Sequence, residues 1–139
     1  MCTCITFINR DFYFGRNLDL EYSFGEQLVI TPRRYPFFWS REGKTQEHYA
    51  MIGMGAAEPS YPLYAEADNE KGLGMAGLNF PGNACYQPYR ENMKNAASFE
   101  LIPWILSRCA TVREAEEQIR NLNVTDESFA EHMPPAPLH

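Results

Sequence analysis

Residues 2–19 read CTCITFINRDFYFGRNLD, which is two short runs of β-branched and aromatic residues on either side of a polar turn at residues 9–11. This pattern predicts a β-hairpin. The second strand would run back beside the first. It would therefore place Arg16 and Asp19 close to the start of the chain.

Cys2 directly follows Met1, so removal of one methionine would leave a thiol and a free α-amine on the same residue. An ordinary thiol has a pKa of about 8.5 and an α-amine one of about 7.7–8.0, so the amine can accept the thiol proton near neutral pH. Arg16 would then favour the thiolate, and Asp19 would orient the amine. The alternative is an inert apolar cysteine beside an ordinary surface ion pair of Arg16 and Asp19.

Further elements follow from hydrophobic patterning and capping residues. Residues 27–32, 49–55 and 73–78 have the composition of strands, and the aromatic segment 35–39 is expected to be a half-buried strand. Two helices are expected next, one capped by Ser98 and running to residue 106, and one with a capping box at Thr111. The apolar side chains of the second helix fall on one face, at Val112, Ala115, Ile119 and Leu122. Antiparallel strands followed by a helical hairpin predict an α+β fold.

Three motifs carry a resemblance to a known family. They are the Cys-Thr start, FGRNLD at residues 14–19 and NEKGLGMAGLNFP at residues 69–81. Together they resemble the choloylglycine hydrolase family, which contains bile salt hydrolases and penicillin V acylases. The resemblance implies an N-terminal-nucleophile amidohydrolase with an αββα four-layer sandwich. It also implies that residues 1–139 all belong to a single domain. They would form the N-terminal part of a longer domain, because family members extend considerably further.

The resemblance implies a role for each matching residue. Cys2 would be the nucleophile and its amine the general base, Arg16 would hold the thiolate, and Asp19 would hydrogen-bond the amine. Asn79 would contribute to the oxyanion hole, where each donor is typically worth about 2.7–4 kcal/mol. The alternative for Asn79 is a turn former before Phe80-Pro81. A second oxyanion asparagine and another arginine of the family lie beyond residue 139.

The resemblance also implies an apolar substrate pocket. The family forms a mobile loop over the substrate after Thr125, so Phe129 and Met133 would line the pocket opposite Leu18. The alternative is a loop that packs on its own core. The expected reaction is hydrolysis of glycine- or taurine-conjugated bile acids, since penicillin V acylases often carry tyrosine where this chain has Asn79. The alternatives are a penicillin V acylase and a catalytically silent, steroid-binding fragment.

Composition limits the remaining classes of function. The chain has 139 residues, 45% of them apolar, and a net charge of −6, which argues against a nucleic-acid partner. The absence of an apolar run of signal or transmembrane length argues against a membrane and predicts a cytoplasmic protein. The irregular spacing of the four cysteines and three histidines predicts neither disulfides nor a metal site, and no cofactor is expected. The partner expected is a small-molecule amide, and the resemblance implies a homotetramer.

Overall fold

The structure is a computed structural model that describes residues 2–58 and 61–138. These residues form ten strands, one short 3-10 helix and two α-helices in chain order. The strands are β1 (Thr3–Asn9), β2 (Asp11–Asn17), β3 (Gln27–Thr31), β4 (Phe37–Trp39), β5 (Gly43–Thr45), β6 (Met51–Glu58), β7 (Tyr61–Asn69), β8 (Gly74–Ala76), β9 (Lys94–Ala97) and β10 (Leu122–Thr125). The 3-10 helix is Ser98–Glu100, and the α-helices are α1 (Leu101–Leu106) and α2 (Val112–Arg120).

The predicted hairpin is confirmed. Strands β1 and β2 pair antiparallel, with Thr3 opposite Asn17 and Cys4 opposite Arg16. The turn consists of Arg10, whose φ of 65° lies in the left-handed region. Most of the hairpin is exposed, and only its open end approaches the rest of the molecule. That end carries Cys2.

The main sheet has four antiparallel strands in the order β3-β6-β7-β8. The sequence predicted β3, β6 and β8 but not β7, whose acidic residues interrupt its apolar pattern. β6 approaches β7 closely at Gly53, where a Cβ would lie 2.0 Å from the carbonyl oxygen of Glu66. The turn from β7 to β8 contains Gly72 at a φ of 83°, a conformation that favours glycine.

The two faces of this sheet differ. Val29 and Thr31 point into the core, whereas Leu28 and Ile30 alternate with them and are exposed. Ile52 pairs with Ile30 and is also exposed, so the outer face is apolar. Alternating apolar residues on both faces are typical of a sheet with a layer on each side.

Helix α1 covers the inner face and is almost entirely buried, with Trp104 and Leu106 fully inaccessible. Strand β4 contributes Phe37 and Trp39, whose rings stack at 4.8 Å. The prediction of a half-buried aromatic strand is confirmed for β4, since Phe38 between them is exposed. Strands β9 and β10 pair in parallel and are connected by the helices. The sequence reasoning did not predict this parallel pair.

Two helix predictions are wrong in detail. The Ser98 side chain makes no cap hydrogen bond; instead the Glu100 carboxylate accepts a 2.9 Å hydrogen bond from the backbone amide of Ala97. The cap of α2 by Thr111 is confirmed at 3.2 Å from the amide of Glu114. However, α2 buries no residue, and Val112 on its apolar face is exposed. Most of the helical packing in the described chain is therefore provided by α1, while α2 contributes the half-buried Ala115, which packs against the core.

The described residues contain no helix of the length and apolarity needed to cross a bilayer. After β10, residues 126–138 continue without a helix or strand among the described positions, as predicted.

Asn69 joins the main sheet to α1. Its Nδ2 donates to the carbonyl oxygens of Leu106 and Cys109 at 2.8 and 2.7 Å, and its Oδ1 accepts from the amides of Lys71 and Leu73 at 3.0 and 3.1 Å. Asn69 is buried, so removal of its amide would leave these backbone groups without partners.

We therefore expect Asn69→Ala to lower the free energy of unfolding by about 2–4 kcal/mol, measured by urea denaturation. Asn121→Ala is the control because this exposed asparagine makes one hydrogen bond, to the carbonyl of Glu117. Its effect should stay below about 1 kcal/mol. Equal losses in both variants would contradict the role given to Asn69.

Candidate active site

Cys2 lies immediately before β1 and is 8% exposed. Arg16 is directly opposite Cys4 in the hairpin. Residues two apart in a strand share a face, and diagonal cross-strand neighbours are within reach of a long side chain. The register therefore brings the Arg16 side chain to the same face as Cys2, as the sequence predicted.

A chain of hydrogen bonds joins the start of β1 to Asp19. The amide of Thr3 donates to Asn17 Oδ1 at 2.6 Å, and Asn17 Nδ2 donates to Asp19 Oδ2 at 2.9 Å. The sulfur of Cys2 lies 4.0 Å from the carbonyl oxygen of Asp19. Asp19 thus lies close to Cys2 and is linked to the start of β1 through Asn17. Met1, whose removal the sequence predicts, lies outside the described residues.

The Arg16 side chain is 2% exposed, which rules out an ordinary surface ion pair for this residue. Its Nη1 donates to Glu66 Oε2 at 2.8 Å, and its Nη2 donates to the carbonyl oxygen of Gly77 at 3.0 Å. The Nε atom is buried and has no hydrogen-bond partner among the described residues. Arg16 therefore retains an unused donor beside the cavity that contains Cys2.

Asn79 lies where the chain leaves β8, and its backbone bridges to Leu138. The amide of Phe80 donates to the carbonyl of Pro137 at 3.0 Å, which fixes the segment further. The side-chain Oδ1 of Asn79 is buried and without a hydrogen-bond partner in the described chain. Asn79 is thus held by backbone contacts with the chain end at residues 137–138.

The surroundings lower the pKa of the Cys2 thiol below its ordinary value. The largest cause is the hydrogen bond from the Asn79 backbone, burial opposes it, and the Asp19 backbone and the Arg16 charge lower the pKa further. At Cys109 the net shift is the opposite, because burial is the largest cause there and raises the thiol pKa. Cys2 is therefore the cysteine with the environment of a nucleophile.

Cys2 opens into a cavity of about 280 Å³. Of the predicted site residues, Cys2, Arg16, Asn79, Leu18, Phe129 and Met133 line it, and Asp19 does not. Most other lining residues are apolar. They are Leu20, Phe24, Leu63, Tyr64, Ala65, Gly77, Ser98, Phe99, Ile102, Pro134, Pro135, Ala136 and Leu138.

The sequence reasoning missed some of the residues that line the cavity, and it also missed Glu66, which binds Arg16 from outside the cavity. Leu20 continues the period of two that starts at Leu18, so alternation along the chain was a usable signal. Glu66 was missed because its strand was not recognised. Its partner Arg16 is 50 positions away in sequence, and no local pattern reports such a contact.

The absence of a metal site stays a prediction from the sequence, and one observation on the described residues bears on it. No group of three or more histidine, cysteine, aspartate or glutamate side chains is arranged to hold an ion there. Cys2 is buried while Cys4 is exposed, and both are free thiols.

Comparison with known proteins adds an independent finding. The model of the family described as linear amide C–N hydrolases, choloylglycine hydrolase family, matches residues 2–139. The chain is 48% identical over 139 residues to the bile salt hydrolase/transferase of Lactiplantibacillus plantarum, which is 100% of this chain and 43% of that protein. It is 36% identical over 143 residues to the bile salt hydrolase/transferase of Clostridium perfringens, covering 100% of this chain and 44% of that protein.

The fold matches solved structures as well. The crystal structure of a mutant conjugated bile acid hydrolase from Clostridium perfringens superposes with a TM-score of 0.90 and 34% identity, covering 99% of this chain and 43% of that one. A second variant of a conjugated bile acid hydrolase from that organism gives a TM-score of 0.89 at 32% identity. The chain thus spans less than half the length of the relatives it matches.

The lowered pKa of Cys2 predicts its reactivity. We expect iodoacetamide to alkylate Cys2 with a rate midpoint at lower pH than that of a free cysteine peptide, with the site assigned by peptide mass spectrometry. Buried Cys109 should react at least about tenfold more slowly at pH 7. In urea, Cys109 should become reactive. A Cys2 midpoint at or above that of the peptide would contradict the assigned environment.

Proposed function

Since the chain belongs to the choloylglycine hydrolase family of linear amide C–N hydrolases, we propose that it supplies the catalytic cysteine of a bile salt hydrolase. The substrate class is glycine- or taurine-conjugated bile acids. The observation that carries the proposal is Cys2 on an apolar cavity, beside the Asn79 backbone and the buried Arg16. The names of the relatives support the same substrate class.

Catalysis starts with removal of Met1, which frees the α-amine of Cys2. The amine takes the thiol proton, and the thiolate attacks the amide carbonyl carbon. The negative charge that develops on the carbonyl oxygen is stabilised by hydrogen-bond donors of Asn79. The C–N bond then breaks, glycine or taurine leaves with the proton from the ammonium, and a thioester remains. Water, deprotonated by the same amine, hydrolyses the thioester and releases the bile acid.

Asp19 and Arg16 have separate roles in this scheme. Asp19, fixed through Asn17, orients the α-amine so that its lone pair faces the sulfur. Arg16 favours the thiolate over the thiol through its charge.

The acyl group occupies the apolar side of the cavity, where Leu18, Phe129 and Met133 provide the wall. A largely apolar lining with few polar groups suits the hydrocarbon skeleton of a steroid. Arg16 and Asn79 both line this cavity, and their buried Nε and Oδ1 atoms have no hydrogen-bond partner among the described residues.

We also propose that residues 1–139 form the N-terminal part of a longer domain in which a second layer covers the apolar outer face of the main sheet. Exposed Leu28, Ile30 and Ile52 support this, since such a face is stable when another layer covers it. A cytoplasmic location is proposed because a reducing compartment preserves a reactive thiol. We also propose that the protein forms a homotetramer and has no nucleic-acid or membrane partner.

The decisive experiment uses the polypeptide expressed from the complete gene that encodes these residues. We expect it to release taurine or glycine from conjugated bile salts faster than phenoxyacetate from penicillin V, with the released amine measured by ninhydrin. Faster release of phenoxyacetate would assign the sister activity. Binding of bile salt without turnover of either substrate would assign the silent, steroid-binding alternative.

Cys2→Ser in that polypeptide should lower kcat by about a hundredfold or more, because a serine hydroxyl at its ordinary pKa is a much weaker nucleophile than a thiolate. Cys85→Ser is the matched control, since this exposed cysteine lies outside the cavity. Intact mass should show loss of one methionine in both. Retained turnover in Cys2→Ser would contradict the mechanism.

Met133→Thr tests the proposed acyl wall. Replacement of an apolar contact by a polar group should raise KM for conjugated bile salts by about three- to tenfold with a smaller change in kcat. Met93→Thr is the control because Met93 is similarly half-buried but does not line the cavity. An unchanged KM for Met133→Thr would instead favour a loop that only packs on its own core.

A further inference from the structure

Glu66 does not line the cavity, yet it is the ion-pair partner of the cation beside Cys2. It lies in β7, where Met54 of β6 pairs with it on one side and Ala76 of β8 on the other. Its carboxylate is 21% exposed and accepts a 2.8 Å hydrogen bond from Arg16 Nη1. Glu66 is therefore a mostly buried anion on a strand held from both sides.

Arg16 comes from a different sheet. It belongs to the two-stranded β1–β2 hairpin, which makes no ladder with the main sheet among the described residues. The Arg16 side chain crosses to the main sheet, where Glu66 and the carbonyl of Gly77 bind it. A guanidinium that is 2% exposed needs a charged partner, because an unpaired buried charge is strongly unfavourable.

The neighbouring acid on β7 does not take this role. Asp68 lies two residues after Glu66 and therefore shares its face of the strand. Its Oδ1 lies close to Gly74, 2.5 Å from the position that a Cβ atom at Gly74 would occupy. Burial, followed by the charge of Glu66, raises the pKa of Asp68. The surroundings thus disfavour the charged form of Asp68, whereas the carboxylate of Glu66 contacts Arg16.

We propose that Glu66 is a positioning residue for the Cys2 nucleophile, because its carboxylate fixes the Arg16 guanidinium against the start of the hairpin. The inference rests on the proposed function in that it assigns Glu66 to the same reaction. Glu66 touches neither the thiol nor the cavity and acts through Arg16.

Two substitutions separate positioning from a purely structural role. Glu66→Ala removes the anchor, so the guanidinium is free to move away and Cys2 loses a group that favours its thiolate. Glu66→Gln keeps the length and an acceptor oxygen but removes the negative charge that offsets Arg16. Both variants lose this charge, but only in Glu66→Gln does the guanidinium stay in place, so that its field at Cys2 becomes more positive. In Glu66→Ala the guanidinium moves away, so the two variants should act on Cys2 in opposite directions.

The experiment measures iodoacetamide alkylation of Cys2 against pH, with the sites separated by peptide mass spectrometry. At pH 7 we expect Glu66→Ala to react roughly threefold more slowly than the wild type. We expect the rate profile of Glu66→Gln to move to lower pH. Glu70→Gln is the matched control, since Glu70 also pairs with an arginine, Arg33, but lies outside the cavity. Its Cys2 profile should equal that of the wild type.

Cys109 reports folding in the same samples, because it reacts only when the core opens. If Glu66→Ala exposes Cys109, the variant has unfolded and Glu66→Gln decides alone. An unchanged Cys2 profile in folded Glu66→Ala, or an unchanged or slower Glu66→Gln, would overturn the proposal. Alkylation of Cys2 needs no bile salt, so its result does not depend on whether the protein hydrolyses bile salts. Conversely, an alkylation result that overturns the role of Glu66 would not affect the hydrolysis assay.

Discussion

The geometry of the site depends on one buried cation. Arg16 extends from the β1–β2 hairpin and is bound by Glu66 of β7 and by the carbonyl of Gly77, which directly follows β8. Desolvation of a guanidinium is expensive, so this arrangement is stable only while both acceptors stay in place. The hairpin is otherwise largely exposed. The requirement to pair Arg16 therefore fixes where the hairpin meets the sheet, and hence where Cys2 lies.

The thiol is placed between opposing influences. Burial of Cys2 disfavours the thiolate, while the backbone of Asn79 and the charge of Arg16 favour it, and the balance lowers the pKa. At Cys109, burial and then the charge of Glu114 raise the thiol pKa, and the charge of Arg108 offsets this only in part. Both cysteines are almost fully buried, at 8% and 1% exposure. Position relative to hydrogen-bond donors and charges, more than burial, therefore separates the thiol pKa of Cys2 from that of Cys109.

The features that could be predicted from residue patterns alone are local ones, whereas Asn79, Phe129 and Met133 were placed at the cavity through the resemblance to the family. The hairpin, the Thr111 cap and the approach of Arg16 to Cys2 follow from patterns within a few residues of each other. The partnership of Arg16 with Glu66 joins residues 50 positions apart and could not be predicted locally. The Ser98 cap was wrong for a different, local reason, since Glu100 reaches back to the amide of Ala97 and occupies that role. The exposed face of α2 shows that helical periodicity indicates an apolar face without saying what covers it.

The wall of the cavity has a different origin from its reacting side. Phe129 packs against Phe99 at 5.2 Å and against Tyr61 at 6.2 Å between ring centroids, so it belongs to the aromatic cluster of the core. Next to Phe99, the buried Glu100 binds Ser40 and fixes the start of the helical region to the end of β4. A closely packed core transmits small shifts, because it has few voids to absorb them. Changes in these core contacts would therefore alter the shape of the cavity, while the charge of Arg16 helps to lower the pKa of the Cys2 thiol.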